Sequence, residues 1–252
     1  MPSSIMITGA SSGIGKSLAF ELARKGYSLA LAARSVDRLE KIKKEIIAAH
    51  NPPAVAVRPL DVTHYEDVFK AVDEMALELD GLDIVFANAG IGLGERVGRG
   101  DFEKAKATIE VNLIGAIATV DAAAAYFLKK GKGHIVGTSS VAAFRGMPRN
   151  SAYSASKAGF SVYLETVRVE LLRKNIHVTV LYPGYIDTPL NQMLKRRPFL
   201  VSAEKGAAII ANLLEKKVKS STVPVYPWNI IGRLMKIAPA AMIAEKGSKR
   251  ER

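Results

Sequence analysis

The sequence predicts an α/β protein: a doubly wound parallel sheet of about seven strands in a single domain. Three observations carry this reading. Short β-branched or apolar runs alternate with longer amphipathic ones along the 252 residues, which is the pattern of strands joined by crossover helices. Several of the short runs are apolar throughout, as befits parallel strands covered on both faces. The first run closes on a glycine-rich turn that opens directly into a helical pattern, the start of a βαβ unit.

The strand candidates are "SIMITGA", "YSLALAAR", "AVAVRPL", "LDIVFANAG", "GHIVGTSS", "IHVTVLYPG" and "TVPVYPW". Between them, 3.6-residue periodicity predicts helices over Gly13–Lys25, Val36–Ala49, Tyr65–Leu79, Phe102–Leu128, Ala152–Arg173 and Glu204–Lys217. Right-handed crossovers then place ligands at the carboxyl ends of the strands. No internal repeat or long linker interrupts residues 1–226, and residues 227–252 read as a basic amphipathic tail.

Composition removes several function classes. With no cysteine, disulfides, thiolate-bound zinc and thiol catalysis are excluded together. His50, His64, His134 and His177 show no metal-ligand spacing, so no metal site is expected. The N-terminus lacks the basic region of a signal peptide, and no run of about 18 apolar residues predicts a spanning helix. The expected location is therefore cytoplasmic. Formal net charge is +12, and from Asn191 onward 13 Lys/Arg face 4 Asp/Glu, so +9 of it lies in the last quarter. Nucleic acid, an anionic membrane surface, an anionic substrate or plain solvation would each suit that excess. Base-stacking aromatics should interleave with the cations of a nucleic-acid binder. Phe199, Tyr226 and Trp228 lie outside the Lys/Arg clusters, so nucleic acid is not an expected partner.

Chemistry begins at "TGASSGIG". Gly9, Gly13 and Gly15 let the backbone turn tightly and approach a pyrophosphate, the helix behind offers its N-terminal amides, and Ser11 and Ser12 add hydroxyls. The second strand ends without the acidic residue that usually takes the adenosine ribose hydroxyls. Ala33 stands there, followed by Arg34. A small residue and then a guanidinium suit a 2′-phosphate, hence NADP.

At this point the chain resembles the short-chain dehydrogenases/reductases over about Ser3 to Thr222. The resemblance rests on "TGASSGIG", "DVT" at Asp61, "NAG" at Asn88, Asn112, Ser140, "YSASK" and "PGYIDT" at Pro183, in that order. It implies a Rossmann-type sheet, a nicotinamide cofactor, and a catalytic Ser140–Tyr153–Lys157 site supported by Asn112, which would hold a water linking Lys157 to solvent. It implies that Asp61 and Val62 lie near the adenine and that Asn88, Ala89 and Gly90 line the cofactor with Ile14. Pro183, Gly184, Ile186 and Thr188 would sit by the nicotinamide. The chain departs from the family in continuing through "YPWNIIGRLMKIAP" where many members end. A homodimer built on the Phe102–Leu128 and Ala152–Arg173 helices is therefore expected rather than the tetramer.

Tyr153 and Lys157 are four residues apart and share a helix face. A free phenol has a pKa near about 10, too high for ready proton exchange at neutrality. A cation about 4 Å away is worth on the order of 4 kcal/mol at a dielectric of about 20, roughly three pKa units. Lys157 is thus expected to pull the phenol down and to bind the nicotinamide ribose, with Ser140 holding the same substrate oxygen. The small residues of "SAYSASKAG" leave room for the cofactor and a neighbouring helix.

The sequence therefore reads as an NADPH-dependent reductase of a carbonyl in a mostly apolar molecule, of ketone, aldehyde or 3-oxoacyl type. An alcohol or steroid dehydrogenase working oxidatively and a non-catalytic NADP-binding regulator stand as alternatives. In the tail, Ile230, Ile231, Leu234, Ile237 and Ala238 form an apolar stripe opposite Asn229, Arg233 and Lys236, with Trp228 ahead and Lys246, Lys249, Arg250 and Arg252 behind. Packing on its own domain, or across a dimer as a lid, is favoured over docking on an anionic membrane, because the stripe is short and Pro239 interrupts it.

Overall fold

The computed structural model describes residues 3–192, 194 and 196–244. Seven strands form one parallel sheet: β1 (Ser4–Thr8), β2 (Ser28–Ala33), β3 (Val55–Pro59), β4 (Ile84–Ala87), β5 (Gly133–Thr138), β6 (Ile176–Pro183) and β7 (Ser220–Val223). Their order is β3-β2-β1-β4-β5-β6-β7. The winding reverses at β1, which pairs with β2 on one side and β4 on the other. Above that reversal the crossovers diverge and leave a crevice.

Both faces are covered. Alternation along β1 sends Ile5 and Ile7 to one core and Met6 to the other. Ile5 and Ile7 pack with Leu18 and Leu22 of α1 (Gly13–Arg24), Leu39 and Ile46 of α2 (Val36–His50), and Ile210 and Leu214 of α7 (Ala203–Glu215). Met6 packs with Val68 and Met75 of α3 (Tyr65–Glu78), Val120 and Phe127 of α5 (Gly115–Lys130), and Phe160 and Leu164 of α6 (Ser151–Glu170). Burying each such side chain stabilises the fold by about 1.5–3 kcal/mol, which makes the two apolar faces the principal glue.

Three elements depart from the sequence reading. The long helix expected over Phe102–Leu128 is α4 (Phe102–Ile109), a π-helical turn (Glu110–Ile114) and α5. One extra residue in that turn sets the buried side chain of Asn112 against the backbone of Ile91. The whole run Phe102–Lys130 has the length and composition of a membrane span. Its inner side chains, Thr119, Val120 and Phe127, are instead buried in the core. The last strand lies at Ser220–Val223, ahead of the expected "TVPVYPW", because Pro224 and Pro227 have no amide hydrogen for the ladder.

The tail is helical, as α8 (Trp228–Ile237) and α9 (Ala240–Ile243), but the face turned inward differs from the expected stripe. Trp228 is buried against Gly184 and the ring of Phe199, and Gly232 lies against Phe144. A side chain at 232 would run into that ring, so the helix seats on its Trp/Gly edge and leaves Ile230, Leu234 and Ile237 at 52%, 56% and 79% exposure. Lys246, Lys249, Arg250 and Arg252 lie outside the described residues.

His134 in β5 is buried between strands, its Nε2 2.8 Å from Thr179 Oγ1. Burial first, then the neighbouring His177 and Lys217, lower its pKa from 6.5 to about 3. The unfolded chain therefore binds a proton that the folded chain refuses between those values, and stability falls as pH drops through the window, by at most about 1.4 kcal/mol per pH unit. Urea unfolding at pH 7 and pH 4.5 should show a smaller acid loss for His134→Gln than for the wild type.

Candidate active site

The crevice floor is built where β1 and β4 part. Gly9, at φ +69°, follows β1, and a Cβ there would stand 2.8 Å from Ala89 Cα. Behind it, a Cβ on Gly15 would stand 2.5 Å from Gly9 O. Only glycine permits α1 to come this close to the strand ends. Ser12 precedes α1 without a side-chain cap, and the first turn holds no acidic residue. Ser11, Ser12, Gly13 and Ile14 line the cleft there, so the free amides and dipole of α1 face it.

Asn88 ties three strands together. Its Nδ2 donates to Thr8 O at 3.0 Å, its Oδ1 accepts from Thr138 Oγ1 at 3.2 Å, and its backbone N donates to Thr8 Oγ1 at 3.0 Å. Asn88, Ala89 and Gly90 thereby form the middle of the cleft wall.

One end of the cleft is cationic. Ala33 leaves space, and Arg34 lines that end together with Asp61 and Val62. Burial would raise the Asp61 pKa, but hydrogen bonds from Thr63 N at 3.0 Å and Thr63 Oγ1 at 2.8 Å, with Arg34 and His64 nearby, hold it below its ordinary value. Arg38 also lines this end and was missed from the sequence. It stands in the first turn of α2, four residues after Arg34, which precedes the helix.

The other end gathers Ser140, Tyr153, Lys157, Pro183, Gly184, Ile186 and Thr188 around one space. Lys157 is 3% exposed, and its Nζ donates to Thr138 O at 2.8 Å. Burial lowers its pKa to about 8. Burial also raises the Tyr153 phenol, and a hydrogen bond with Ser140 opposes that rise. This corrects the expectation that Lys157 pulls the phenol down. The ammonium lies 5.9 Å from the ring centroid and is engaged by a carbonyl, so desolvation wins. Asn112 and Gly15 stand behind the cleft wall rather than in it. The Asn112 side chain is occupied on both sides by Ile91, accepting from its N and donating to its O, each at 2.8 Å. Leu190 and Asn191 complete this end from a short 3-10 turn, Pro189–Asn191. They were missed because their segment carried no motif.

The profile of the short chain dehydrogenase family matches residues 3–198. The chain belongs to that family. An oxidoreductase of Mycobacterium tuberculosis is 39% identical over 236 residues, 93% of each chain. The 11-beta-hydroxysteroid dehydrogenase 1A of Arabidopsis thaliana is 40% identical over 75% of this chain and 53% of its own length. Among solved structures, an alcohol dehydrogenase of Thermococcus sibiricus complexed with 5-hydroxy-NADP superposes with a TM-score of 0.79 at 31% identity, covering 88% of this chain and 96% of that one. Levodione reductase superposes with a TM-score of 0.80 at 26% identity, covering 87% and 94%.

As a short-chain dehydrogenase the protein is an oxidoreductase of a family that binds nicotinamide cofactors. The cleft fits such a dinucleotide: a glycine cradle without Cβ atoms, uncapped helix amides at its middle, cations at one end and a buried ammonium at the other. Holding that ammonium in a dry site costs stability. With a folded pKa near 8 against 10.5, the cost is full below pH 8 and disappears as pH rises toward 10.5. Lys157→Met should therefore raise the stability of the cofactor-free protein at pH 7, by up to about 3 kcal/mol. Chemical denaturation of the two proteins checks this.

Proposed function

We propose that the protein is an NADP(H)-dependent reductase acting on a carbonyl of a mostly apolar small molecule. The observation that carries this is the polarity of one cleft: Arg34 and Arg38 at one end, where Asp61 is engaged by Thr63, and Ser140, Tyr153 and Lys157 at the other. The bound cofactor would supply the hydride. Tyr153, its phenol held protonated by burial, would donate a proton to the carbonyl oxygen, and Ser140 would hold that oxygen as charge develops. Lys157 would orient the cofactor ribose and Asn112 would brace the Gly90–Ile91 wall. Burial keeps the phenol in its protonated form, the state from which donation to a carbonyl oxygen starts. An intact Ser–Tyr–Lys set argues against a non-catalytic regulator. The Thermococcus relative's NADP-type ligand and the reductase among the structural neighbours support the same reading.

Titration of both cofactors should show tighter binding of NADPH than NADH, with Arg34→Ala weakening NADPH alone by about tenfold or more, the worth of a charged hydrogen bond. Equal affinity would sink the cofactor assignment. On any carbonyl that the protein reduces, Tyr153→Phe should cut turnover by at least about 100-fold while leaving NADPH affinity nearly intact. Retained turnover would remove Tyr153 from its role.

The reading extends to assembly and location. Phe102, Leu128, Val162 and Val169 along α4, α5 and α6, with Leu172 just past α6, are exposed, and a homodimer would cover them. In the tail, the buried Trp228 supports packing over membrane docking. The outward Ile230, Leu234 and Ile237 beside Arg233 and Lys236 keep peripheral contact of a cytoplasmic enzyme with anionic lipid as the lesser part of the proposal. One preparation tests both. Light scattering should give a dimer that Val162→Glu dissociates, and flotation with anionic vesicles should be weak and lost in salt. A wild-type monomer, or no flotation at any salt, removes the respective part.

A further inference from the structure

The segment between β4 and α4 has little regular structure, yet it is fastened at two points. Ile91 is gripped on both backbone groups by Asn112. The second fastening is Glu95. Its backbone N donates to Arg149 O at 3.0 Å, and its Oε1 accepts from Ser151 Oγ at 2.9 Å and from Ala152 N. Gly94, at φ +64°, turns the chain into this position, a conformation that other residues adopt only with strain.

The acceptor matters because of where it falls. The first amides of a helix have no partner within it, so an uncapped first turn frays. Tyr153 is the third residue of α6. Asn150, preceding the helix, makes no side-chain cap, and the first turn of α6 contains no acidic residue. The cap comes instead from a carboxylate 57 residues upstream of Ala152. Glu95 is 5% exposed, and its Oε2 has no partner among the described residues. Burying a carboxylate this way is unfavourable by itself, and a merely packed loop would be better served by an apolar side chain. The strap between the two fastenings runs beside the phenol: a Cβ on Gly92 would lie 3.9 Å from Tyr153 Cδ2 and 3.8 Å from Leu190 Cγ.

We propose that Glu95 is a positioning residue for Tyr153, holding the first turn of α6 and the 91–95 wall in one geometry. The proposal rests on the reading of Tyr153 as proton donor, and its test separates the two. Protein labelled with [13Cζ]-tyrosine gives a Tyr153 resonance, assigned with Tyr153→Phe, that needs no turnover. Glu95→Gln keeps an acceptor oxygen and should leave that resonance in place. Glu95→Ala should shift or split it while the other tyrosines stay unchanged. On a reduced substrate, Glu95→Ala should lower kcat by about 10- to 100-fold, the cost of displacing a reacting group by a fraction of an ångström to an ångström. KM and NADPH affinity should stay near wild type, and Glu95→Gln should restore most of kcat. An unmoved resonance in Glu95→Ala, or equal damage from Gln and Ala, overturns the proposal. A moved resonance with kcat retained overturns the role of Tyr153 and leaves Glu95 as the clamp of the turn. Should Glu95→Ala not fold, Glu95→Asp, one methylene too short, takes its place with the same outcomes.

Discussion

A lysine ammonium held in a dry cleft is the constraint around which the site is organised. Lys157 Nζ reaches Thr138 O at the end of β5, which requires α6 to lie close against that strand. Hydroxyls draw the two together. Ser139 Oγ donates to Lys157 O at 2.9 Å, Ser161 Oγ donates to the same oxygen at 2.8 Å, and the two hydroxyls lie 2.7 Å apart. Small side chains at Ser154 and Ser156 are buried on the same helix. Bulk there would push α6 outward, and the ammonium would lose its acceptor at Thr138. The cost of burying Lys157 is thus offset by a local network that also places Tyr153 beside Ser140.

The switch point of the sheet sets the length of the cleft. Asn88 joins β1, β4 and β5, so the glycine turn and the Ser140–Tyr153 end cannot drift apart. On one side of this joint Arg34 and Arg38 gather positive charge with Asp61 engaged by Thr63. On the other, the groups are buried and their charged forms are disfavoured. An elongated ligand with a highly anionic end and a less charged end is oriented by that contrast alone.

Much of this was legible in the chain. Fully apolar strand runs and the glycine turn are local patterns, and the i, i+4 pair at Tyr153 and Lys157 gained its reading only from its order after that turn and Ser140. What escaped was set by tertiary contact. Arg38 was indistinguishable from any exposed helical arginine until α2 was docked beside the cleft. The inward face of α8 was misread because the widest apolar stripe does not decide burial when a glycine lets a different edge come closer to Phe144. The phenol's direction was misjudged because a pairwise charge estimate omits desolvation, which here acts on both partners. Glu95, "LGE" in an irregular segment, carried no sequence signal, since its partners lie more than fifty residues away.

The two helix termini at the cleft are treated oppositely. The first turn of α1 is left without a cap, so its amides remain available to an anion that arrives from outside. The first turn of α6 is capped by a buried carboxylate from another part of the chain, so its amides are spent internally. A site that must accept a mobile phosphate gains from open donors, because the ligand itself completes the structure. A site that must hold a proton donor at fixed distance gains from closed ones, because any ligand-dependent ordering of Tyr153 would be subtracted from the transition state. In the proposed function, the same backbone device serves as a receptor at one end of the cleft and as a brace at the other.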